Sequence, residues 1–189
     1  LFFFRFGLFA LATWYLIDNN KKFVNHFTLS LLATIALALM DGYSQYLFSH
    51  HIFGQPTFHD IRLSLTFDDK MYLGGYLSRL TPLLIGLLIF NLNVKNKKIT
   101  YVVISLIFIL TDILVYVSSE RTALGLMIVI TVFIIIFVKN FRLLRFITFF
   151  VSILSIIIIS FLSPEIKKRN IDHTLNQVGI TDNSRIVMF

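Results

Sequence analysis

Cysteine is absent from this 189-residue sequence, which excludes a disulfide framework and any metal site built on thiolates. Charged residues are also scarce. They make up 14% of the chain, against about 25% in a typical soluble domain, while hydrophobic residues make up 57%. This small number of charged side chains cannot cover the surface of a water-soluble fold. The composition therefore predicts an integral membrane protein.

Several sequence patterns of soluble enzymes are missing, namely Walker A, GxGxxG and GxSxG. The formal net charge of +7 could suggest nucleic-acid binding. However, most basic residues occur in short clusters between apolar runs, as topology signals do. We therefore expect membrane lipids, and not nucleic acid, around this protein.

Six apolar runs predict an all-α fold, a polytopic bundle of about six transmembrane helices. A helix rises 1.5 Å per residue, so about 20 residues cross a hydrocarbon core of ~30 Å. Helices are expected because a backbone in lipid must satisfy its own hydrogen bonds. The runs cover residues 1–17, 23–40, 72–92, 99–117, 122–138 and 146–162.

The connections between the runs alternate in charge, and this alternation predicts the topology. Eight Lys or Arg side chains and one acid occur in three short connections: 18–22, 93–98 and 139–145. Most of the acids occur in the others: 42–71, the turn 118–121 and the segment after 163. Because short basic loops stay in the cytoplasm, the acidic connections are expected on the outer side.

The sequence predicts a single transmembrane domain over residues 1–189, with no repeat or linker that divides it. We expect 42–71 to be an outer loop and 163–189 to begin a larger one. Within the first loop, the stretch 57–67 fits either a strand or an interfacial helix. Since the sequence starts without Met and stops on an apolar residue, we expect a piece of a longer protein, truncated at both ends.

Glu120 and Arg121 stand between two apolar runs, in the stretch SSERT. One interpretation is that Arg121 snorkels to lipid phosphates beside an acidic neighbour. The other is a phosphate site at the outer leaflet. Arg121 would begin a helix whose first N–H groups attract anions, and its planar fork binds phosphate oxygens bidentately.

Two further charges fall deeper in the predicted helices. Arg79 and Asp112 each lie about seven residues, or ~10 Å, below the outer end of their run. Charges at that depth are usually paired, so we expect an ion pair between Arg79 and Asp112. The spacing of Asp112, Tyr116 and Glu120 also predicts a polar stripe on one helix face, leading to Arg121.

Three of the five histidines share the first outer loop, at His50, His51 and His59. Three imidazoles could bind a metal ion. No acidic ligand lies at a characteristic helical spacing beside them, so we interpret them as solvated loop residues. His26 and His173 receive no role from the sequence.

Three separated parts of the chain resemble O-antigen ligases and O-antigen polymerases, in the order in which that family has them. The resemblance covers about residues 40–189. Its segments are MDGYSQYLFSHHIFG with RLSLTFDDKMYLGGYLSRLTPLLIG (40–54 and 62–86), SSERTALGL (118–126) and NQVGITDNSRIVMF (176–189). Many relatives have a glycine where this chain has Ser119.

The resemblance implies a helical bundle in the bacterial inner membrane, with its active site at the periplasmic face. Family members take a glycan from an undecaprenyl diphosphate donor and use no metal or other cofactor. Ligases pass the glycan to lipid A–core, and polymerases extend a growing repeat chain. The family's catalytic histidine lies in the large periplasmic loop, at a position that we expect beyond residue 189, so this segment alone is not expected to be active.

By this resemblance Arg121 and Arg185 engage the donor diphosphate, and we predict that Glu120 orients Arg121. The predicted catalytic residues are therefore Arg121, Arg185 and Glu120. The predicted substrate-binding residues are Arg121, Arg185, Arg79, Asp112 and Tyr116. Two alternatives stay open: a flippase or other transporter of lipid-linked oligosaccharides, since buried charges also mark transport paths, and a non-catalytic membrane subunit.

Overall fold

A computed structural model describes residues 4–19, 21–48, 50–52, 63, 72–90 and 97–162 of the chain. Each predicted apolar run corresponds to a helix, and the described part of the chain is all-α, as predicted. The helices are α1 (Phe4–Asn19), α2 (Lys21–Phe48), α3 (Leu73–Phe90), α4 (Lys97–Val117), α5 (Arg121–Phe137) and α6 (Arg142–Leu162), with a 3-10 turn at Lys139–Phe141 before α6.

Four of the described helices, α2, α3, α4 and α6, are long and apolar enough to cross a membrane. Helix α5 is also apolar, but its 17 residues span only about 25 Å. Large apolar side chains such as Phe133, Phe150 and Phe161 are exposed on the outside of the bundle. Lipid hydrocarbon requires an apolar exterior on the helices that cross it. The protein is therefore membrane-embedded.

Helices α4 and α6 run parallel, which determines the path of α5. Asp112 of α4 contacts Arg145 and Ser152 of α6, while Tyr116, one turn further along α4, contacts Ser160 near the end of α6. The contacts therefore advance in the same direction along both helices. A connection between two parallel neighbours has to return across the bundle, so α5 crosses it despite its short length.

The core between these helices has two layers of buried side chains. The larger layer joins α2, α3, α4 and α5 through residues that include Ile35, Leu77 and Leu114. The smaller layer lies towards the other end of the bundle and consists of Ile85, Ile104, Phe108, Ile134 and Phe141. We call the end beside the larger layer, where α4 meets α5, the acidic end, and the opposite end, where α5 meets α6, the basic end.

Arg142 closes the last turn of α5 at the basic end. Its Nε donates to the carbonyl oxygen of Ile135 at 2.6 Å, and its Nη2 donates to that of Ile136 at 3.3 Å. The final carbonyls of a helix lack partners within the helix and carry partial negative charge, so a guanidinium there is stabilising. Arg142 therefore caps the end of α5 and joins it to the start of α6.

Two helix boundaries, the end of α2 and the start of α6, differ from the prediction by more than three residues. Helix α2 continues to Phe48, so the connection to α3 begins at residue 49 instead of 42. Asp41 and Gly42 interrupt the apolar run without ending the helix. A Cβ built on Gly42 would lie 2.5 Å from Leu114 and 2.7 Å from Leu73, so glycine allows α2 to approach its neighbours closely.

The basic connection after α5 is shorter than predicted, because residues 142–145 belong to the first turn of α6. The stretch 57–67 lies outside the described residues except for Leu63, which is buried in the larger core layer. The predicted loop 163–189, with Arg185, also lies outside the described residues.

Candidate functional site

The turn between α4 and α5 shapes the acidic end of the bundle. Ser119 has a φ of 59°, in the left-handed region that glycine favours. Glu120 follows in an extended conformation, and its carbonyl oxygen accepts the first helical N–H bond of α5, from Leu124 at 3.0 Å. Helix α5 therefore begins at Arg121, as the sequence predicted, and Arg121 is half-buried there.

The side chain of Glu120 binds the start of a different helix, α3. Its Oε1 accepts the N–H of Gly74 at 2.8 Å, and its Oε2 accepts the N–H of Gly75 at 2.7 Å. These N–H groups lie in the first turn, where a helix supplies no carbonyl partner and carries partial positive charge. Glu120 thus fastens α3 to the α4–α5 turn, in addition to any effect on Arg121.

The glycines of α3 make this contact possible. A Cβ added to Gly74 would clash with the Ser118 hydroxyl and lie 3.1 Å from the Glu120 carboxyl carbon. A Cβ on Gly75 would lie 3.1 Å from Glu120 Oε2. The pair GG in the sequence LGGYLSR is therefore explained by close approach of a carboxylate to the helix backbone.

The predicted ion pair between Arg79 and Asp112 is wrong, because Asp112 pairs with Arg145. The Arg145 Nη1 lies 2.9 Å from Asp112 Oδ2, and its Nη2 lies 3.0 Å from Asp112 Oδ1. Arg79 is exposed. The ion pair was predicted because Arg79 and Asp112 lie at the same depth in their helices. Depth does not show which side of a helix faces the core, and Arg79 lies on the outer side of α3. The core face of α3 carries Leu77, Ser78, Thr81 and Leu84.

Arg145 is fully buried, although the sequence placed it in a basic connection. Its Nε donates to Thr131 Oγ1 at 3.2 Å, and its guanidinium carbon lies 4.0 Å from the centre of the Phe108 ring. Ser152 donates to Asp112 Oδ2 at 3.0 Å. Side chains from α4, α5 and α6 thus surround one charge pair. We call the five residues Phe108, Asp112, Thr131, Arg145 and Ser152 the charge-pair cluster.

The predicted polar stripe on α4 is confirmed for two of its three members. Asp112 and Tyr116 both face α6, and the Tyr116 hydroxyl lies 2.6 Å from that of Ser160. The stripe does not continue to Glu120, because α4 ends at Val117 and Glu120 turns towards α3. The stripe therefore joins two helices and does not lead along the surface to Arg121.

A second buried polar group lies at the acidic end, and the sequence reading missed it. It comprises Asp41 and Gln45 on α2 with His51 and Ile52 after the helix; we call it the Asp41 cluster. Gln45 Nε2 donates to Asp41 Oδ2 at 2.8 Å, and the Ile52 N–H donates to Oδ1 at 3.0 Å. His51 Nδ1 lies 3.0 Å from Oδ2. Asp41, Gln45 and His51 are all buried.

The interpretation of the loop histidines as solvated is therefore wrong for His51. His50 is exposed, with its Nδ1 2.7 Å from the carbonyl oxygen of Phe48, and His59 lies outside the described residues. Two adjacent histidines look alike in sequence, and the chain reversal after α2 decides which one turns inwards. The i, i+4 spacing of Asp41 and Gln45 on an apolar helix was the available signal.

The Asp41 cluster and the α4–α5 turn lie at the same end of the bundle. Gly42, the neighbour of Asp41, packs against the Leu73 side chain at the start of α3. The next residue, Gly74, donates its N–H to Glu120. A continuous series of contacts therefore joins the Asp41 cluster to Glu120, the residue that precedes Arg121.

The candidate site at the acidic end thus combines a half-buried arginine at a helix N-terminus with a buried Asp–His pair. The roles predicted for Arg121, Glu120, Tyr116, Arg79, Asp112 and Arg185 in catalysis or substrate binding remain predictions. Comparison with protein-family models, with curated proteins and with solved structures finds no match to this chain.

Proposed function

We propose that this chain is the donor-binding part of a bacterial inner-membrane glycan ligase or polymerase. The protein would transfer a glycan from undecaprenyl diphosphate to an acceptor hydroxyl at the periplasmic face, in the synthesis of O-antigen or a related surface polysaccharide. The observation that carries the proposal is the α4–α5 turn, which presents Arg121 at the N-terminus of α5 while the Glu120 carboxylate binds α3.

The chemistry of the transfer explains why an arginine is needed there. Breaking the bond between sugar and diphosphate leaves negative charge on the departing diphosphate. A fixed guanidinium and the N–H groups at the start of α5 stabilise that charge in the transition state. The Glu120 carboxylate accepts hydrogen bonds from the N–H groups of Gly74 and Gly75. Its negative charge is therefore directed towards the start of α3.

The conformation of Ser119 supports the resemblance on which the proposal rests. Many relatives have glycine at this position, and here the backbone adopts the left-handed φ of 59° that favours glycine. The turn thus gives a physical reason for the family's glycine.

The orientation in the membrane is part of the proposal. Short connections rich in Lys and Arg stay in the cytoplasm, so the basic end would face the cytoplasm and the acidic end the periplasm. A lipid diphosphate donor displayed on the periplasmic leaflet would then meet Arg121 at the level of its headgroup.

A flippase for lipid-linked oligosaccharides is the second candidate, and the charge-pair cluster is the observation that favours it. Charged groups deep in a membrane protein often line a transport path. In this bundle the charges of Asp112 and Arg145 are engaged by each other and by neighbouring hydroxyl groups. A transport path through the cluster would have to break those contacts.

The test uses the full-length protein, with Arg121→Ala and Arg121→Lys compared at matched membrane levels. We expect Arg121→Ala to abolish glycan transfer while the lipid-linked donor accumulates on the periplasmic leaflet. Arg121→Lys keeps the charge but loses the planar fork, so we expect it to lose most of the activity. Arg142→Lys, at the basic end, is the matched control and should transfer normally.

Two results would overturn the proposal. Normal transfer by Arg121→Ala would show that Arg121 is a lipid anchor and not a diphosphate ligand. Accumulation of the donor on the cytoplasmic leaflet would instead identify a flippase.

A further inference from the structure

We propose that Arg79, on the exposed face of α3, binds the phosphate of an anionic phospholipid in the leaflet at the acidic end. The ligand is a resident lipid of the bilayer whose headgroup carries a net negative charge, as in phosphatidylglycerol. The inference does not depend on glycan transfer, because it rests on the packing of α3 and on the membrane location of the bundle.

Arg79 is a charged residue in a helix long and apolar enough to cross the membrane, and it faces away from the rest of the bundle. The core face of α3 includes Leu77 and Thr81, which are fully buried, whereas Arg79 and Leu83 are exposed. Arg79 lies six residues after Leu73, so its Cα is about 9 Å from the start of the helix. An exposed charge at this depth requires a counter-ion or a polar partner.

The acids in the described part of the chain do not supply that counter-ion. Asp112 belongs to the charge-pair cluster, and Asp41 is buried in the Asp41 cluster. The Glu120 carboxylate binds the first turn of α3, and Asp18 lies at the basic end, in the last turn of α1. Among the described residues Arg79 has no hydrogen-bond or ion-pair partner. A negative group from the surrounding bilayer therefore fits its charge.

The geometry of an α-helix directs Arg79 towards the lipid headgroups. Side chains lean towards the N-terminus of their helix, and α3 starts at the acidic end, beside Glu120. An arginine side chain reaches back by about 5 Å, one helical turn, while its methylene groups stay in hydrocarbon. The guanidinium then approaches the level of Leu73, where lipid phosphates begin. Its planar fork binds two phosphate oxygens at once.

The same face of α3 offers a path for an acyl chain of that lipid. Its exposed residues are Arg79, Leu83, Gly86 and Phe90, and their spacing places them in one row along the helix. A Cβ added to Gly86 would meet nothing within 4 Å, so there is open space beside it. The missing side chain leaves a gap between Leu83 and Phe90 that fits a hydrocarbon chain. The lipid is thus held by its phosphate and by one of its acyl chains.

The net charge of the headgroup decides which lipid Arg79 prefers. A phosphatidylcholine carries a quaternary ammonium beside its phosphate, and this cation offsets the attraction to a guanidinium. An anionic headgroup has no such cation, so a basic residue near the membrane surface favours it. Arg142 at the basic end is also exposed, but its guanidinium already donates to the carbonyl oxygens of Ile135 and Ile136.

The test measures which lipid lies beside Arg79 in the full-length protein, reconstituted in nanodiscs. Natural tryptophans, Trp14 among them, are replaced by phenylalanine, and Leu83→Trp places a fluorophore one turn from Arg79. Quenching by brominated phosphatidylglycerol is compared with quenching by brominated phosphatidylcholine over a series of mixtures. We expect the anionic lipid to bind roughly fivefold more tightly at this position. Phe133→Trp, on the uncharged outer face of α5, is the control and should show no preference.

Substitutions of Arg79 assign the preference to its guanidinium. In the Leu83→Trp protein, Arg79→Gln should remove the preference, and Arg79→Lys, which keeps the charge but loses the planar fork, should retain part of it. Arg142→Gln is the matched control and should leave the preference unchanged. Native mass spectrometry of the protein with its natural Leu83 gives a second measurement. There Arg79→Gln should weaken binding of the first phosphatidylglycerol by about fivefold.

Three outcomes overturn the inference. The first is equal quenching by the two brominated lipids in the Leu83→Trp protein, and the second is a preference that survives Arg79→Gln. The third is loss of the preference when undecaprenyl diphosphate is added in an amount equal to the protein. That result would place the glycan donor at Arg79, as the sequence predicted, and not a resident phospholipid. A preference that persists with the donor present supports the phospholipid.

Discussion

The guanidinium of Arg145 lies in bidentate contact with the carboxylate of Asp112, and both are buried between α4, α5 and α6. The two residues come from helices that are neighbours in space but are separated in sequence by all of α5. In hydrocarbon an unpaired charge is costly, so this contact selects one register of α4 against α6. We regard it as the contact that aligns this half of the bundle.

Removing one partner of this pair should destabilise the protein strongly. Arg145→Met leaves the Asp112 carboxylate buried without its cation, and we expect a loss of about 3–5 kcal/mol. The double variant Asp112→Leu/Arg145→Met removes both charges and should recover much of that loss. Thermal unfolding in detergent, followed by circular dichroism, measures both. Arg142→Met, in the same helix turn but exposed, is the control and should cost about 1 kcal/mol or less. Equal losses in the single and double variants would contradict an aligning role.

Glu120 should contribute to stability separately from any role in catalysis. Glu120→Ala leaves the N–H groups of Gly74 and Gly75 without their carboxylate, and we expect a loss of about 1–2 kcal/mol. Hydrogen–deuterium exchange of the protein in nanodiscs should then speed up at residues 74 and 75. Exchange in the first turn of α5 should change less, because Glu120 caps α5 through its backbone. Unchanged protection at residues 74 and 75 would show that the carboxylate contact is absent in solution.

Gly74 should not tolerate even a methyl group. Gly74→Ala would push the first turn of α3 away from Ser118 and Glu120, and we expect a loss of about 1–3 kcal/mol. Gly125→Ala in α5 is the matched control, because a Cβ there meets nothing within 4 Å. Alanine favours helix over glycine, so Gly125→Ala should raise stability by up to about 1 kcal/mol. The measurement is the shift in Tm, which should be negative for Gly74→Ala and positive for Gly125→Ala. Shifts of the same sign would contradict the close approach of α3 to Ser118 and Glu120.

Ser119→Gly should stabilise the α4–α5 turn. A left-handed conformation costs an L-residue about 1–2 kcal/mol, part of which is offset because glycine gains freedom when unfolded. We therefore expect a net gain of roughly 0.5–1 kcal/mol, together with retained activity. Ser119→Val, with a branched Cβ at a φ of 59°, should lose stability. A stabilised valine variant would mean that the turn adopts another conformation.

The helices were predictable, but the contacts between them were only partly so. Each apolar run corresponds to a helix because a membrane backbone has few alternatives. Depth in the membrane also follows from counting residues, and this correctly identified Asp112 as a charge that needs a partner. Rotation about the helix axis does not follow from counting. Arg79 therefore looked as suitable a partner as any, although its helix turns it outwards.

The residues missed by the sequence reading are those whose environment depends on a chain reversal or on a helix boundary. Arg145 resembled a topology signal because it follows Lys139 and Arg142, yet it lies in the first turn of α6 and faces the core. His51 resembled its neighbour His50 until the chain turned back towards Asp41. By contrast, the start of α5 at Arg121 was predicted correctly, because the short polar stretch SSER separates two apolar runs.

The shortness of α5 has a consequence for the lipid around it. Its 17 residues cover about 25 Å, less than the ~30 Å hydrocarbon thickness of a typical bilayer, and side chains such as Val129, Val132 and Phe133 face outwards along it. This hydrophobic mismatch is relieved when the bilayer beside α5 becomes thinner. The lipid headgroups of the thinned bilayer would then lie level with the two ends of α5, at Arg121 and Phe137.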